Sequence, residues 1–380
     1  QHRQLSYQEL SFCLLDSISC QAFARLPIGL LPKKSVLQES ISRIREHTWE
    51  KINLMILDNA HQGKVEQGKM LRIDSTVTDA LVHEPTDNSL LWDAVRVIVR
   101  LLKEAEELAL TDTRIDWQNH IRRAKKRNRA IVYTRGQDKK AKLYQDLIQV
   151  TQNSLKYLEM AQLELSCSGV TDDLRHGAWE AQINHYKPLI LQVIDQTQRR
   201  VFKGEKVPAN EKLFSLFEEH TDIIVKGSRD IQYGHKLNLS SGRSGLILDV
   251  VIESGNPADS MRFIPMLDRH ILHYGEAPKQ TAADGGYASI DNLEQAKERG
   301  VKDVVFHKKR GLKVEDMAKS PWVYRKLRNF RAGIEAGISC LKRAFGLSRC
   351  TWRGLEHFKS YVWSCVVSHN LALLGRLLPT

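Results

Sequence analysis

The chain has 380 residues, with 57 Lys and Arg against 45 Asp and Glu, a formal net charge of +12 and 42% hydrophobic residues. A chain of this length and composition buries an extensive core and usually divides into more than one domain. Collagen, a disordered chain and a disulfide-stapled miniprotein are therefore excluded. No run of about 18 apolar residues occurs, so the sequence predicts no membrane span.

The first residues and the cysteines indicate whether the chain is part of a longer protein and in which compartment it occurs. Residues 1–4 contain neither an initiator Met nor a signal-peptide pattern, so we expect the chain to be part of something longer. The six cysteines are scattered, with no C-x-x-C pair and no His at zinc-ligand spacing. We therefore expect free thiols in a reducing compartment and predict a cytoplasmic protein.

The first 65 residues predict helices, at 7–15, at 17–26 and in a long helix from about Ser35. Ser35–Gln38 has the form of a capping box, and apolar residues recur at helical spacing up to Ile52. Two interpretations remain open. These helices form either a DNA end-binding module or a layer that packs on the next domain.

Residues 70–77 alternate and become β-branched, which predicts a first strand carrying Asp74. A polar turn with His83 and Glu84 follows, and a turn containing Pro needs no catalytic explanation. Residues 88–205 predict helices almost throughout.

A basic segment lies within this helical block. Residues 122–142 hold ten Lys or Arg against one acid, Asp138, and carry most of the net charge. Such a concentrated patch on a nearly neutral body predicts contacts with DNA phosphates. The residues chosen for this role are Arg122, Arg123, Lys125, Lys126 and Arg127.

After Pro208 the pattern changes to short strands and helices. Strands are predicted at 222–226, 235–239, 245–252, 281–283 and 303–306, and helices at 257–273, 290–299 and 324–345. With the helical block set aside, we write the element order from residue 70 as β, β, β, α, β, α, β, α. The strands at 235–239 and 245–252 suit a hairpin.

Three acids stand at parallel places in this order: Asp74 in the first strand, Asp284 just past a later strand, and Glu335 in the long C-terminal helix. Mg²⁺ takes carboxylate oxygens as ligands, and two such ions can stabilise both the attacking and the leaving oxygen of a phosphoryl displacement. Each acid alone is weak evidence, because each also suits a strand cap, an ordinary glycine turn or a solvated helix position.

The helix around Glu335 strengthens this interpretation. Arg328, Arg331, Glu335 and Lys342 recur at intervals of three, four and seven, so they share one helix face. An i, i+4 surface salt bridge would explain Arg331 and Glu335 alone. It does not explain the other two cations, which are expected where a metal ligand is flanked by contacts to DNA phosphates.

Five motifs support a resemblance to a known family. They are R-I-D-S-T-V at 72–77, H-E-P-T-D at 83–87, Y-G-H-K at 233–236, A-D-G-G-Y at 283–287 and R-A-G-I-E-A-G-I-S-C-L-K at 331–342. The chain resembles the DDE transposases of bacterial insertion sequences, near the group labelled ISNCY. In related transposases the last block begins with Tyr at the position that is Arg328 here, so the role of Arg328 departs from the pattern.

The resemblance implies an α/β protein with an RNase H-like mixed sheet. Asp74, Asp284 and Glu335 would be the catalytic and metal-binding triad, and Arg331 and Lys342 would position phosphates. The organisation would be a helical module at 1–65, the first part of the catalytic domain at 66–87, a basic helical insertion at 88–205, and the remainder at 206–380.

The function implied is binding of terminal inverted repeats, followed by DNA cleavage and strand transfer that depend on Mg²⁺, for which Mn²⁺ can substitute. The partners would be double-stranded DNA at the nucleoid and further copies of the chain, in a dimer or larger synaptic complex. His235 and Lys236, predicted to begin a strand, are weaker candidates for DNA contact. So are residues 307–310, which also suit a solvated loop.

Two rival functions use the same sequence. A nuclease on this fold would cleave DNA without joining it, but the R-x3-E-x6-K pattern disfavours it. A domesticated DNA-binding protein with a dead site would use only the basic segment, but the presence of all three acids argues against this.

Overall fold

The computed structural model describes residues 3–27, 29–226, 230–308 and 310–378. Lys309, within the predicted loop at 307–310, lies outside the described residues. The chain divides into two compact units, one formed by Gln1–Leu81 with Asp222–Thr380 and the other by Val82–Thr221. The predicted helical insertion at 88–205 lies inside the second unit.

A mixed six-stranded sheet forms the frame of the first unit over the described residues. Its strands are β1 Met70–Asp79, β2 Asp222–Lys226, β3 Asp230–Ser241, β4 Ile247–Ile252, β5 Gln280–Ala283 and β6 Asp303–Phe306. The order is β2-β3-β1-β5-β6, with β4 also paired to β3. Strand β1 is antiparallel to β3 and parallel to β5, and β5 is parallel to β6. The antiparallel and parallel halves of the sheet therefore meet at β1.

Helices account for most of the remaining chain. In chain order they are α1 Tyr7–Asp16, α2 Ile18–Phe23, α3 Lys34–Ser42, α4 Glu46–Gln62, α5 Asp87–Leu108, α6 Ile121–Tyr133, α7 Gln137–Ser168, α8 Asp173–Phe202, α9 Phe263–Tyr274, α10 Ile290–Glu298, α11 Val314–Met317, α12 Pro321–Ala344 and α13 Leu355–Leu377. None of these described helices is long and apolar enough to cross a membrane. The α/β class with a mixed sheet is thus confirmed.

The core of the first unit lies against the sheet. Leu71 and Ile73 of β1 are fully buried, and Phe263 of α9 meets Phe306 of β6 edge-on with ring centroids 5.2 Å apart. Most residues of β1 are buried whichever face they point to. A strand covered on both faces reads as a run of apolar residues, so a charged side chain within it requires a specific partner.

The N-terminal helices differ from the prediction. The long helix expected from Ser35 is two helices, α3 and α4, with the break at 43–45. The expected capping box at Ser35 is absent, because α3 is preceded by Lys33 and has no side-chain cap. Helix α4 places Leu57 and Ala60 in the core beside the sheet. Helix α4 therefore packs within the first unit, in agreement with the interpretation that these helices form a layer on the next domain.

The strand order also needs a correction. The written order counts only three strands before the first following helix, whereas the predicted bounds and the structure both give four, β1 to β4. Strands β2 and β6 have the predicted bounds, and β3 and β4 form the expected antiparallel hairpin. Helix α9 begins at Phe263 because a 3-10 turn, Asp259–Arg262, occupies the start of the predicted helix.

The second unit is built from α5, α6, α7 and α8. A capping box between Thr86 and Ser89 starts α5, which packs against all three other helices. Trp179 of α8 is fully buried and its Nε1 donates to the Leu101 carbonyl of α5 at 2.8 Å. This unit has its own apolar core, as the predicted amphipathic helices require.

Candidate active site

The structure brings Asp74, Asp284 and Glu335 together, and these three side chains are called the acidic triad below. Ile73 of β1 and Ala283 of β5 are register partners on parallel neighbouring strands, and the residue that follows each of them is an aspartate. Glu335 comes from α12, which packs against both strands. The sheet register and one helix are therefore sufficient to gather the triad.

One buried guanidinium lies between the three carboxylates. Arg331 Nη2 donates to Glu335 Oε1 at 2.7 Å, while its Nη1 lies 3.4 Å from Asp74 Oδ2 and 3.8 Å from Asp284 Oδ1. Its side chain is only 8% exposed. Arg331 was predicted to position DNA phosphates. In the structure its contacts are with the triad, and a phosphate contact remains a prediction.

Arg72, which the sequence analysis quoted only within a motif, fixes α12 on the sheet. Its side chain is buried and donates from Nε to Ser241 Oγ at 2.7 Å and from Nη1 to the Phe330 carbonyl at 2.9 Å. A Cβ at Gly333 would lie 1.8 Å from Arg72 Nη1, so glycine is required where α12 crosses this side chain. This contact sets the position of Glu335 relative to β1.

Burial raises the pKa of Asp74 to about 6. Repulsion from Asp284 and Glu335 adds to this rise, whereas the Ser75 N–H, which donates to Asp74 Oδ1 at 2.8 Å, and the Arg331 guanidinium oppose it. A further positive charge placed near such a carboxyl group would stabilise its ionised form. A perturbed carboxyl group in a cleft is also the signature of a functional site.

The donor set of the triad suits a hard divalent cation. It offers only carboxylate oxygens, which Mg²⁺ prefers, and Asp284 and Glu335 are 43% and 56% exposed and so reachable from solvent. Among the described residues, no group of three or more His, Cys, Asp or Glu side chains is arranged to hold a metal ion. The triad thus has the ligand chemistry that the ion prefers, but its three carboxylates are arranged around Arg331 and not around a metal site.

An open cleft of about 460 Å³ adjoins the triad. Asp74 and Glu335 line it together with Lys342, the cation predicted to contact phosphate. Arg328, predicted on the same helix face, is exposed and does not line this cleft. Its guanidinium lies 5.9 Å from the ring centre of Tyr324. Of the two outer cations on α12, the structure places Lys342 beside the triad.

His235 and Lys236, which were predicted to contact DNA, are not exposed. Both residues lie inside β3 and are buried. The imidazole Nδ1 of His235 lies 3.0 Å from the Glu253 carbonyl, and its ring packs edge-on against Phe358. Lys236 Nζ lies 2.6 Å from Asp259 Oδ1, as an ion pair, and donates to the Pro257 carbonyl at 2.7 Å. These partners are internal, and a DNA contact by either residue remains a prediction.

This internal network supports the loop that carries Asp284. A Cβ at Gly286 would lie 2.5 Å from Asp259 Oδ2, so the glycine lets the loop approach the carboxylate held by Lys236. Tyr287 donates to Asn238 Oδ1 at 2.5 Å, and Asn238 donates to Glu253 Oε1 at 2.8 Å. Gly286 and Tyr287 both belong to the motif A-D-G-G-Y, but the sequence did not show that they contact Asp259 and Asn238.

The basic segment lies in the second unit, on α6 and the start of α7. Arg123 and Arg127 pair with Asp146 of α7. Arg122, Lys125 and Lys126 are exposed. His83, also in this unit, faces Asp93, with 3.6 Å between Nε2 and Oδ2.

The fold and the site define a class: a mixed α/β domain that gathers three acids at one end of two parallel strands. Residues 226–371 match the family model of the transposase DDE domain. The match includes Asp284 and Glu335 but begins after Asp74. The resemblance to insertion-sequence DDE transposases is thereby confirmed. No curated protein and no solved structure matches the chain.

Proposed function

We propose that the protein is a DDE transposase that binds the inverted repeats of its element, cleaves DNA at the element ends and joins the freed ends to target DNA. The observation that carries this proposal is the convergence of the acidic triad on one buried cation beside an open cleft. The match to the transposase DDE domain covers two of the three acids and α12, the helix that carries Glu335.

The catalytic domain is proposed to be RNase H-like. The support is a mixed sheet whose antiparallel half begins with β1 and whose parallel half continues through β5 and β6. The helical unit enters the chain directly after β1, so it would be an insertion after the first strand of this fold.

The triad would hold Mg²⁺, or Mn²⁺ in its place. The chemistry such ions supply when bound is a lowered pKa for the attacking hydroxyl and a stabilised negative charge on the leaving oxygen. Asp74 is the least exposed acid, and the Ser75 N–H fixes its carboxylate, so it orients the group. Arg331 offsets the repulsion among the three acids, and Lys342 in the same cleft binds a phosphate.

DNA is therefore the proposed partner, and two ends must be brought together, so a dimer or larger assembly is required. Residues 1–65 are proposed to contribute to end recognition. We place the protein in the cytoplasm at the nucleoid. All six cysteine positions are described and all six are free thiols, in keeping with a reducing compartment.

The test uses labelled DNA that carries the sequences flanking the gene as candidate ends. With Mg²⁺, the wild-type protein should give both cleaved and strand-transfer products. Asp74→Asn, Asp284→Asn and Glu335→Gln should each abolish both, because each replaces a charged oxygen ligand by an amide of nearly the same shape. Lys342→Ala should lower the rate on the order of 100-fold, since it removes one electrostatic contact.

The products separate the rival functions. Cleavage without joined products would replace the transposase by a nuclease. DNA binding without either product, under the same conditions, would identify a DNA-binding protein with an inactive site. Near-wild-type cleavage by one acid variant would remove that residue from the triad.

A further inference from the structure

A second cleft, of about 940 Å³, lies in the first unit at the amino ends of three strands, and the triad aspartates lie further along two of these chain segments. Met70, Gln280 and Asp303, the first residues of β1, β5 and β6, line it. Six exposed cations surround it: Lys64, Lys69, Arg243, Lys279, Lys302 and Lys319. We call it the lysine cleft.

The two acids of the lysine cleft are already occupied by hydrogen bonds. Glu66 is 3% exposed, and its carboxylate accepts from the backbone N–H groups of Gln67 and Gly68 at 3.0 Å each. It also accepts from Ser244 N at 2.9 Å and Ser244 Oγ at 2.6 Å. A Cβ at Gly242 would lie 2.1 Å from Glu66 Oε2, so the β3–β4 turn can reach this carboxylate only with glycine there.

Asp303 is equally buried and holds the opposite wall. It accepts from the Lys319 N–H at 2.9 Å and from Gln280 Nε2 at 2.8 Å. The buried carboxylates therefore tie together the loops that carry Lys69, Arg243 and Lys319, rather than pairing with the cations themselves. In the described part of the chain, none of the six cations has a carboxylate within ion-pair distance.

Six cations around two occupied acids leave a strong excess of positive charge in one concave surface. Such a surface attracts anions and raises their local concentration. Lys69, Lys279 and Lys302 directly precede β1, β5 and β6, which are neighbouring strands about 4.8 Å apart, so the cations extend across the edge of the sheet and do not surround one point. A chain of phosphates, with one negative charge per about 1.7 Å of duplex axis, matches a spread of this kind better than a single small anion does.

We propose that the lysine cleft binds the sugar-phosphate backbone of DNA at a position distinct from the phosphate that reacts at the triad. This inference rests on the proposed function, because it takes DNA as the substrate. Asp74 lies four positions after Met70 in β1, which is about 13 Å along the strand. The contacts are to phosphates alone, so they hold DNA without reading its sequence.

The experiment measures the affinity of the full-length protein for a labelled duplex of arbitrary sequence over a range of salt concentrations. Lys279, Lys302 and Lys319 are replaced together by Gln. Removing phosphate contacts lowers the slope of log K against log[salt] by about 0.9 for each, so the triple variant should lose about 2 to 3 units of slope. A second variant, with Lys69→Gln and Arg243→Gln on the other wall, should lose about 1 to 2 units.

The matched control replaces three exposed lysines of the second unit, Lys156, Lys203 and Lys206, by Gln, with the same change in net charge. The control should keep the wild-type slope. Equal slopes for control and cleft variants would overturn the proposal, because only overall charge would then matter. Weakened binding of inorganic phosphate with an unchanged DNA slope would also overturn it. If the slope falls as expected while the acid variants still cleave DNA, this inference stands and the proposed triad fails.

Discussion

The two ends of one sheet carry opposite charge arrangements. At the carboxyl end of β5, level with the middle of β1, three acids converge on one buried cation, Arg331. At the amino ends of the same strands, six cations surround two acids, Glu66 and Asp303, whose oxygens are taken up by hydrogen bonds. The acidic triad therefore attracts further cations, whereas the lysine cleft attracts anions.

This contrast assigns catalysis and DNA binding to different parts of the sheet. A phosphoryl transfer needs cations placed within contact of the reacting oxygens, which the triad attracts. Retaining a long polyanion needs many weak phosphate contacts, which the lysine cleft offers. The buried ion at each end has a structural task, because Arg331 keeps acids together and Glu66 keeps loops together.

The largest expected effect comes from removing the shared cation. Arg331→Met leaves three carboxylates facing one another around an apolar side chain, so we expect the free energy of unfolding to fall by about 3 kcal/mol without divalent ions. Denaturant unfolding measures it. Arg325→Met, at an exposed position of the same helix, is the control and should change stability by less than about 0.5 kcal/mol. Equal stabilities for the two variants would show that the triad needs no cation.

An effect of at most the same size is expected from Asp74. Its pKa is about 6 when folded, above its ordinary value of 3.8, so the folded state binds a proton more readily than the unfolded state. The free energy of unfolding therefore falls as the pH rises from about 4 to about 6, by up to about 3 kcal/mol. Asp74→Asn removes this loss and should be more stable than wild type at pH 7 but not at pH 4.

Thermal unfolding from pH 4 to pH 7 checks this difference. Asp112→Asn changes an exposed acid of the second unit and should follow the wild-type curve throughout. An Asp74→Asn protein that is less stable than wild type at pH 7 would mean that the ion pair with Arg331 outweighs the cost of burying the carboxylate.

The smallest effect is expected from α6, whose cations stand on an open helix surface. Two of them are paired with Asp146, so the useful change is Arg122, Lys125, Lys126 and Arg129 to Gln. If about half of these contact phosphates, the salt slope for DNA binding should fall by about 2 units. Salt titrations of DNA binding measure this slope, with the Lys156, Lys203 and Lys206 variant as the control. An unchanged slope would show that these cations form only a solvated surface.

The sequence predicted the parts of this account that depend on local patterns. Asp74 lies in β1 as expected, because β-branched alternation defines that strand, and β2 and β6 have their predicted bounds. The break between α3 and α4 was missed because no Pro or Gly marks residues 43–45. Local capping signals were equally misleading at Ser35.

The features that the sequence did not show depend on distant partners. His235 and Lys236 were expected at the start of a strand, whereas they lie inside β3 and are buried, and the acid beside Lys236 is Asp259, 23 positions away. The buried position of Arg331 could not be inferred from its i, i+4 relation to Glu335. The lysine cleft was missed because its cations come from five segments that hold one or two each, so no charge run appears.

The most direct test of the division between the two ends measures two quantities on the same preparations. One is the rate of Mg²⁺-dependent cleavage at saturating DNA, and the other is the equilibrium affinity for that DNA. Asp284→Asn should lose the rate and keep the affinity. The triple variant of Lys279, Lys302 and Lys319 should lose affinity and keep the rate at saturation. A cleft variant that binds as wild type, or an Asp284→Asn variant that cleaves as wild type, would contradict the account.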